Sequence, residues 1–209
     1  MQRKRTILIA AITLAVLSQS ASAATIAAAT TPLNIRSGPG PQYTVIGAIP
    51  TNGQATVMGC IKDSLWCQVT YSGRQGWAYS QYLTATIAGR SLAVSERVAE
   101  LPPAIYNAPA ETVGTAVAAP VIEGEFIAPV AAAAPLSLAP PPTVQTYVVG
   151  HPAPPVYING EVVEGAGLPP DVVLSPVPDY EYSYAYVNGV PVLVEPSSRR
   201  VTYIYRQAN

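Results

Sequence analysis

Charge is scarce in this chain. Asp, Glu, Lys and Arg make up 11% of its 209 residues, against about a quarter in an ordinary soluble domain. No basic cluster exists, which excludes the electrostatic footprint of nucleic-acid binding and of anchoring on an anionic membrane. Histidine occurs once, at His151, and cysteine twice. A zinc or Cys–His catalytic centre needs more such groups, so neither metal nor cofactor is expected. Gly-rich phosphate loops and nucleophile elbows are also missing. The acidic pairs Glu161/Glu164 and Asp179/Glu181 lie in small units without a cleft and read as solvated surface. The chain is therefore expected not to be an enzyme.

What is present begins with an export signature. Arg3, Lys4 and Arg5 precede an apolar run from Ile7 to Leu17, and Ala21-Ser22-Ala23 forms a small-residue cleavage site. Residues 1–23 read as a signal peptide, and the product as periplasmic or secreted. Its removal leaves 8 basic against 12 acidic residues, a formal charge of −4. No later stretch has the roughly 20 uninterrupted apolar residues of a spanning helix, so no transmembrane anchor is expected after cleavage.

Residues 24–31 show no periodicity and read as a flexible lead-in. From Leu33 the pattern turns β. Strands are expected over Leu33–Arg36, Thr44–Ile49, Gln54–Ile61, Leu65–Tyr71 and Gln75–Tyr79, with Gly and Pro punctuating the loops. Tyr79–Leu83 would add a 3₁₀ turn or a last strand. Five short strands in about fifty residues suit a small barrel, because closing a sheet removes exposed edges. Cys60 and Cys67 sit symmetrically about Asp63-Ser64, so a hairpin there pairs them directly. In an exported chain that pair is expected to be a disulfide.

Residues 86–143 read as a mostly disordered linker, with a short helix conceivable over Thr86–Glu100. Its Ala/Pro composition buries little surface and favours extended conformations. Residues 144–209 read as a small antiparallel β unit with two Asn-Gly hairpin signals, at Asn159-Gly160 and Asn188-Gly189. The second turn pairs Val187 with Val190, Ala185 with Val192 and Ser183 with Val194. A turn at Ser197-Ser198 then pairs Glu195 with Arg200, Val194 with Val201, Val192 with Tyr203 and Val190 with Tyr205. One face is thus apolar, and Tyr182, Tyr184 and Tyr186 form a row on the other. Exposed, that row would be an interaction face; buried, it would be core. Pro191 interrupts the strand, and either a bulge is expected there or a third strand too short to need its missing hydrogen bond.

The order Leu33-Asn34-Ile35-Arg36-Ser37-Gly38-Pro39-Gly40, then Tyr43, Val45-Ile46-Gly47, Trp66, Gly76-Trp77 and Tyr82-Leu83, resembles the bacterial SH3 (SH3b) domain over residues 32–85. The resemblance implies an SH3-like β-barrel, usually exported, that binds peptidoglycan or an envelope protein. Its candidate ligand residues are the aromatics Tyr43, Trp66, Trp77 and Tyr79. Leu168-Pro169, Tyr184–Gly189, Val192–Pro196 and Arg199–Val201 resemble a domain of unknown function found at the C-termini of exported alphaproteobacterial proteins. Two functions follow as expectations: envelope binding by the SH3-like module, or a structural role for the tyrosine-rich C-terminal sheet.

Overall fold

The structure, a computed structural model, describes residues 24–87, 89–106, 121–127 and 139–206. The expected signal peptide and the central part of the expected linker lie outside the described residues. The fold is mainly β, in two sheets.

The first sheet holds eight strands: β1 Thr25–Ala29, β2 Leu33–Arg36, β3 Val45–Ile49, β4 Gln54–Cys60, β5 Trp66–Tyr71, β6 Arg74–Tyr79, β7 Leu83–Ile87 and β8 Arg90–Ala93. Their order is β3-β2-β6-β5-β4-β1-β7-β8. Leu33, Ile35, Ile49, Val57, Val69 and Leu83 form its buried centre, as period-2 alternation of apolar residues requires. The 3₁₀ turn Ser80–Tyr82 stands where the sequence places it.

Two expectations change here. The supposed lead-in contains β1, which lies between β4 and β7. Its inward residues, Ala27 and Ala29, are almost fully buried. Methyl-sized side chains give a weak sequence signal yet allow close sheet packing. The supposed linker is also ordered where it is described. It supplies β8, the 3₁₀ segment Val94–Glu100 and the strand β9, Val121–Glu125.

The hairpin between β4 and β5 brings Cys60 opposite Cys67. They form a disulfide with Cα atoms 4.0 Å apart. Asp63 takes the left-handed conformation in the turn, with φ 59°.

The second sheet contains β9, β10 Pro155–Asn159, β11 Ser175–Pro176, β12 Ser183–Val187, β13 Val190–Glu195 and β14 Arg200–Ile204. Its order is β14-β13-β12-β10-β9, with β11 paired to β12. Asn188 and Gly189 have φ 53° and 76°, the two positive values a type I′ turn needs. The β12–β13 register is the expected one. The β13–β14 register holds at Glu195↔Arg200 and Val194↔Val201, then shifts to Leu193↔Tyr203 and Val192↔Ile204. The extra residue, Thr202, makes this a bulge, so Ile204 rather than Tyr203 opposes Val192. Pro191 itself carries no bulge; of the two expectations, the short third strand is the one found, since β14 ends at Ile204. The β13–β14 register ends at Val192, and Pro191 gives only its carbonyl, to the Tyr205 N–H.

Asn159-Gly160 makes no hairpin. The β10 strand runs parallel to both β12 and β9, and the chain leaves the sheet at Gly160. Asn188 explains the difference. Its Oδ1 accepts from the Ile158 N–H at 2.8 Å, and its Nδ2 donates to the Gly160 carbonyl at 3.1 Å. One Asn-Gly turn thus holds the other segment in place.

Helix α1, Pro142–Gly150, starts with proline in its first turn, where no N–H is missed. It packs Val144 and Val148 against Tyr184, Leu193 and Tyr205. Among the described residues, no helix is long and apolar enough to cross a membrane.

Candidate functional site

The two sheets meet across a buried polar network. Arg36 ends β2 and lies opposite Trp77 of β6 and Val45 of β3. Its side chain and that of Glu161 are both 0% exposed. Arg36 Nε donates to Glu161 Oε2 at 2.5 Å, and Nη2 donates to Oε1 at 2.7 Å. Arg36 Nη1 donates to the carbonyls of Pro41 (2.9 Å), Tyr43 (2.8 Å) and Asn188 (3.0 Å). One guanidinium therefore holds its own loop, the opposite turn and a carboxylate 125 residues away in sequence.

Glu161 is equally well served. Its Oε1 also accepts from Asn34 Nδ2 and from the Val162 N–H, each at 3.1 Å. Asn34 Oδ1 accepts in turn from Arg206 Nε at 3.1 Å. Arg206 Nη2 donates to the Pro32 carbonyl at 3.0 Å, and Nη1 lies 3.6 Å from Glu164. Burial lowers the Arg206 pKa, opposed mainly by the Glu164 charge. Burying a charge is costly unless it is paired and hydrogen-bonded. This network meets that condition around both Arg36 and Glu161. Glu161 is therefore not the solvated residue that the sequence suggests.

Beside the network lies a groove of about 440 Å³, lined among others by Gln42, Tyr43, Tyr157, Pro191, Tyr205 and Arg206. One wall comes from the loop before β3 and the other from the Asn188-Gly189 turn. Tyr43 is positioned by Gly38: a Cβ there would lie 2.4 Å from the Tyr43 ring, so only glycine admits this packing. Burial, aided by Tyr203, pushes the Tyr205 hydroxyl up to about 12. The groove offers aromatic walls, an amide and a guanidinium. Such surfaces bind and orient polar ligands.

The aromatics singled out in the sequence separate. Tyr43 is half-buried and lines this groove. Trp66 and Trp77 are buried, 4% and 3% exposed. Trp66 meets Tyr79 edge-on at 5.4 Å, and Trp77 meets Tyr106 edge-on at 5.5 Å. Tyr79 also lines a smaller cavity, about 320 Å³, with Gln81, Tyr82, Asn159 and Glu161. The tyrosine row, Tyr182 just before β12 and Tyr184 and Tyr186 within it, divides likewise. Tyr182 is exposed, Tyr186 half-buried and Tyr184 buried. Helix α1 covers the inner part: Tyr184 donates to the His151 carbonyl at 2.7 Å and Tyr186 to that of Val148 at 3.0 Å. His151 stacks on Tyr147 at 4.2 Å. Among the described residues, no group of three or more His, Cys, Asp or Glu could hold a metal.

Known proteins match the chain in two places. Residues 31–84 match the bacterial SH3 domain, and residues 147–206 match the Domain of unknown function (DUF1236). A Bacillus subtilis protein, YrvJ, described as a candidate N-acetylmuramoyl-L-alanine amidase, is 41% identical over 68 residues. The match covers 32% of this chain and 13% of that relative. The chain thus spans a small fraction of it. No solved structure matches the chain.

Proposed function

We propose that this protein is a non-catalytic component of the bacterial cell envelope, exported by residues 1–23, whose SH3 module binds peptidoglycan. The observation that carries the reading is the bacterial SH3 match over residues 31–84. Its likeness to a protein named for cell-wall amidase chemistry supports the same direction.

The ligand site under this reading is the groove between the modules. Tyr43 and Tyr157 are its aromatic walls, Gln42 contributes an amide, and Arg206 contributes a guanidinium. Both cysteines are held in a disulfide, so neither serves as a nucleophile. The second module acts as a scaffold, fixing one wall of the groove through Asn188. Of its tyrosine row, α1 lies over Tyr184, while Tyr182 stays exposed and Tyr186 half-buried.

The test is co-sedimentation of the oxidised chain, residues 24–209, with purified peptidoglycan. Retention that falls on Tyr43→Ala and Tyr157→Ala supports the reading. A chain that stays in the supernatant contradicts it and would redirect attention to an envelope protein as partner.

A further inference from the structure

Residues 101–106, Leu-Pro-Pro-Ala-Ile-Tyr, run along the edge of β4 and are bridged to it at one residue pair, Pro103 and Cys60. The β1 strand pairs with β4 only as far as Val57. Beyond that point the edge of β4 is taken by this segment. The Cys60 N–H donates to the Pro102 carbonyl at 3.0 Å, and the Ala104 N–H donates to the Cys60 carbonyl at 2.9 Å. These two bonds bracket Pro103, the parallel partner of Cys60, and use none of the N–H groups that proline lacks. Gly59 makes the approach possible: a Cβ there would lie 2.6 Å from the Pro102 carbonyl oxygen.

From Pro102 onward the side chains alternate as in a seated strand: Ala104 and Tyr106 pack on the core of the module, while Pro103 and Ile105 face out, Ile105 being 81% exposed. The Tyr106 ring stands edge-on to both Trp77 (5.5 Å) and Tyr43 (5.7 Å). Two aromatics of the module and one free strand edge thus share a single occupant from the same chain.

We infer that this face is an extended-peptide site, filled in cis by residues 101–106 and open in trans to a Pro-x-x-Tyr segment of another polypeptide. Backbone pairing to Cys60 gives affinity, and the Tyr43/Trp77 slot selects the aromatic side chain, as in strand-addition recognition generally. The tether gives residues 101–106 an effective concentration on the order of millimolar. They therefore act as a releasable strap that holds off weak ligands. The inference names a second ligand class for the SH3 module proposed above to bind peptidoglycan. Peptide binding without peptidoglycan retention would keep this inference and remove that function, and the reverse result would do the opposite.

The test uses the oxidised chain 24–209 and a labelled, end-blocked Leu-Pro-Pro-Ala-Ile-Tyr peptide, read by fluorescence anisotropy. Tyr106→Ala removes the strap's anchor and is expected to tighten peptide binding at least tenfold over the unsubstituted chain. Adding Tyr43→Ala, or using a peptide ending in Ala, should abolish the gain. Equal binding by the Tyr106→Ala and unsubstituted chains would overturn the inference. Amide hydrogen exchange in the unsubstituted chain gives a reading that does not depend on a variant's folding. The Ala104 amide should exchange through a local opening insensitive to low denaturant, while amides of β5 follow global unfolding. Exchange of Ala104 only with global unfolding would equally overturn it.

Discussion

Glu161→Ala perturbs the junction at its most loaded point. The substitution removes the acceptor of two Arg36 bonds and of the Asn34 bond. The Arg36 guanidinium would keep its three carbonyl partners but remain a buried charge with no counter-charge. Removing one member of a buried pair costs roughly 3–5 kcal/mol. For a chain of this size, 1 kcal/mol moves the melting temperature by about 2–4 °C. The expected fall is therefore about 6–20 °C. Replacing both partners with apolar residues of similar size, Arg36→Met with Glu161→Leu, removes the unpaired charge but orphans the Pro41, Tyr43 and Asn188 carbonyls, so it should recover only part of the loss. Urea and thermal unfolding followed by tryptophan fluorescence, which reports the first module through Trp66 and Trp77, and by far-ultraviolet circular dichroism, which reports both modules, measure both variants. Two separated transitions in Glu161→Ala would show the modules uncoupling. A Glu161→Ala chain within about 1 kcal/mol of the unsubstituted protein would refute the reasoning, since a loss that small is typical of solvent-exposed ion pairs.

Three further outcomes follow from the same contacts. Replacing Cys60 and Cys67 by Ala opens an eight-residue loop and should cost about 2–3 kcal/mol on the chain-entropy estimate, read as a lower urea midpoint under non-reducing conditions. Burial, then the neighbouring Tyr79 and Glu161, raises the Tyr82 hydroxyl from 10.0 to about 12. A folded-state pKa above the unfolded one means full stability below pH 10 and progressive loss as pH rises from 10 towards 12. The loss from Tyr82 should reach about 2 kcal/mol by pH 11.5, at about 1.4 kcal/mol per pH unit above 10, and Tyr205 adds to it in the same window. Denaturation midpoints at pH 9 and pH 11.5 check this, and equal midpoints would contradict it. Asn188→Ala loses the bonds to Ile158 and Gly160 and forces alanine to φ 53°. It should cost at least about 2 kcal/mol, whereas Asn188→Gly relieves the backbone and should cost less.

Short-range structure was legible in the sequence and long-range structure was not. The Cys60–Cys67 hairpin and the Asn188-Gly189 hairpin are local, and turn chemistry plus alternation fixes their register. The Asn159-Gly160 pair carries the same local signal, but Asn188 captures its backbone from 28 residues away. Tertiary contact there overrides a favourable turn sequence. The β1 strand is hidden because its inward residues are alanines, which are equally common in linkers. Glu161 gives no sign of burial in a run of Asn, Gly and Val. Its partner Arg36 sits in the SH3-like signature, whose local reading offers no reason to look beyond the module. Of the residues that line the groove, Tyr43 lies beside a Gly/Pro loop of the SH3-like stretch, where the sequence draws attention to it. Tyr157, Tyr205 and Arg206 reach the groove only through the packing of the second module against the first.

The account turns on whether the groove between the modules holds an envelope ligand. Co-sedimentation with purified peptidoglycan tests it most directly, comparing the oxidised chain 24–209 with its Tyr43→Ala and Tyr157→Ala variants, each shown to be folded. Retention of the unsubstituted chain, reduced at least fivefold by either substitution, is the predicted result. No retention above that of an unrelated acidic protein, or retention that neither substitution changes, would contradict it.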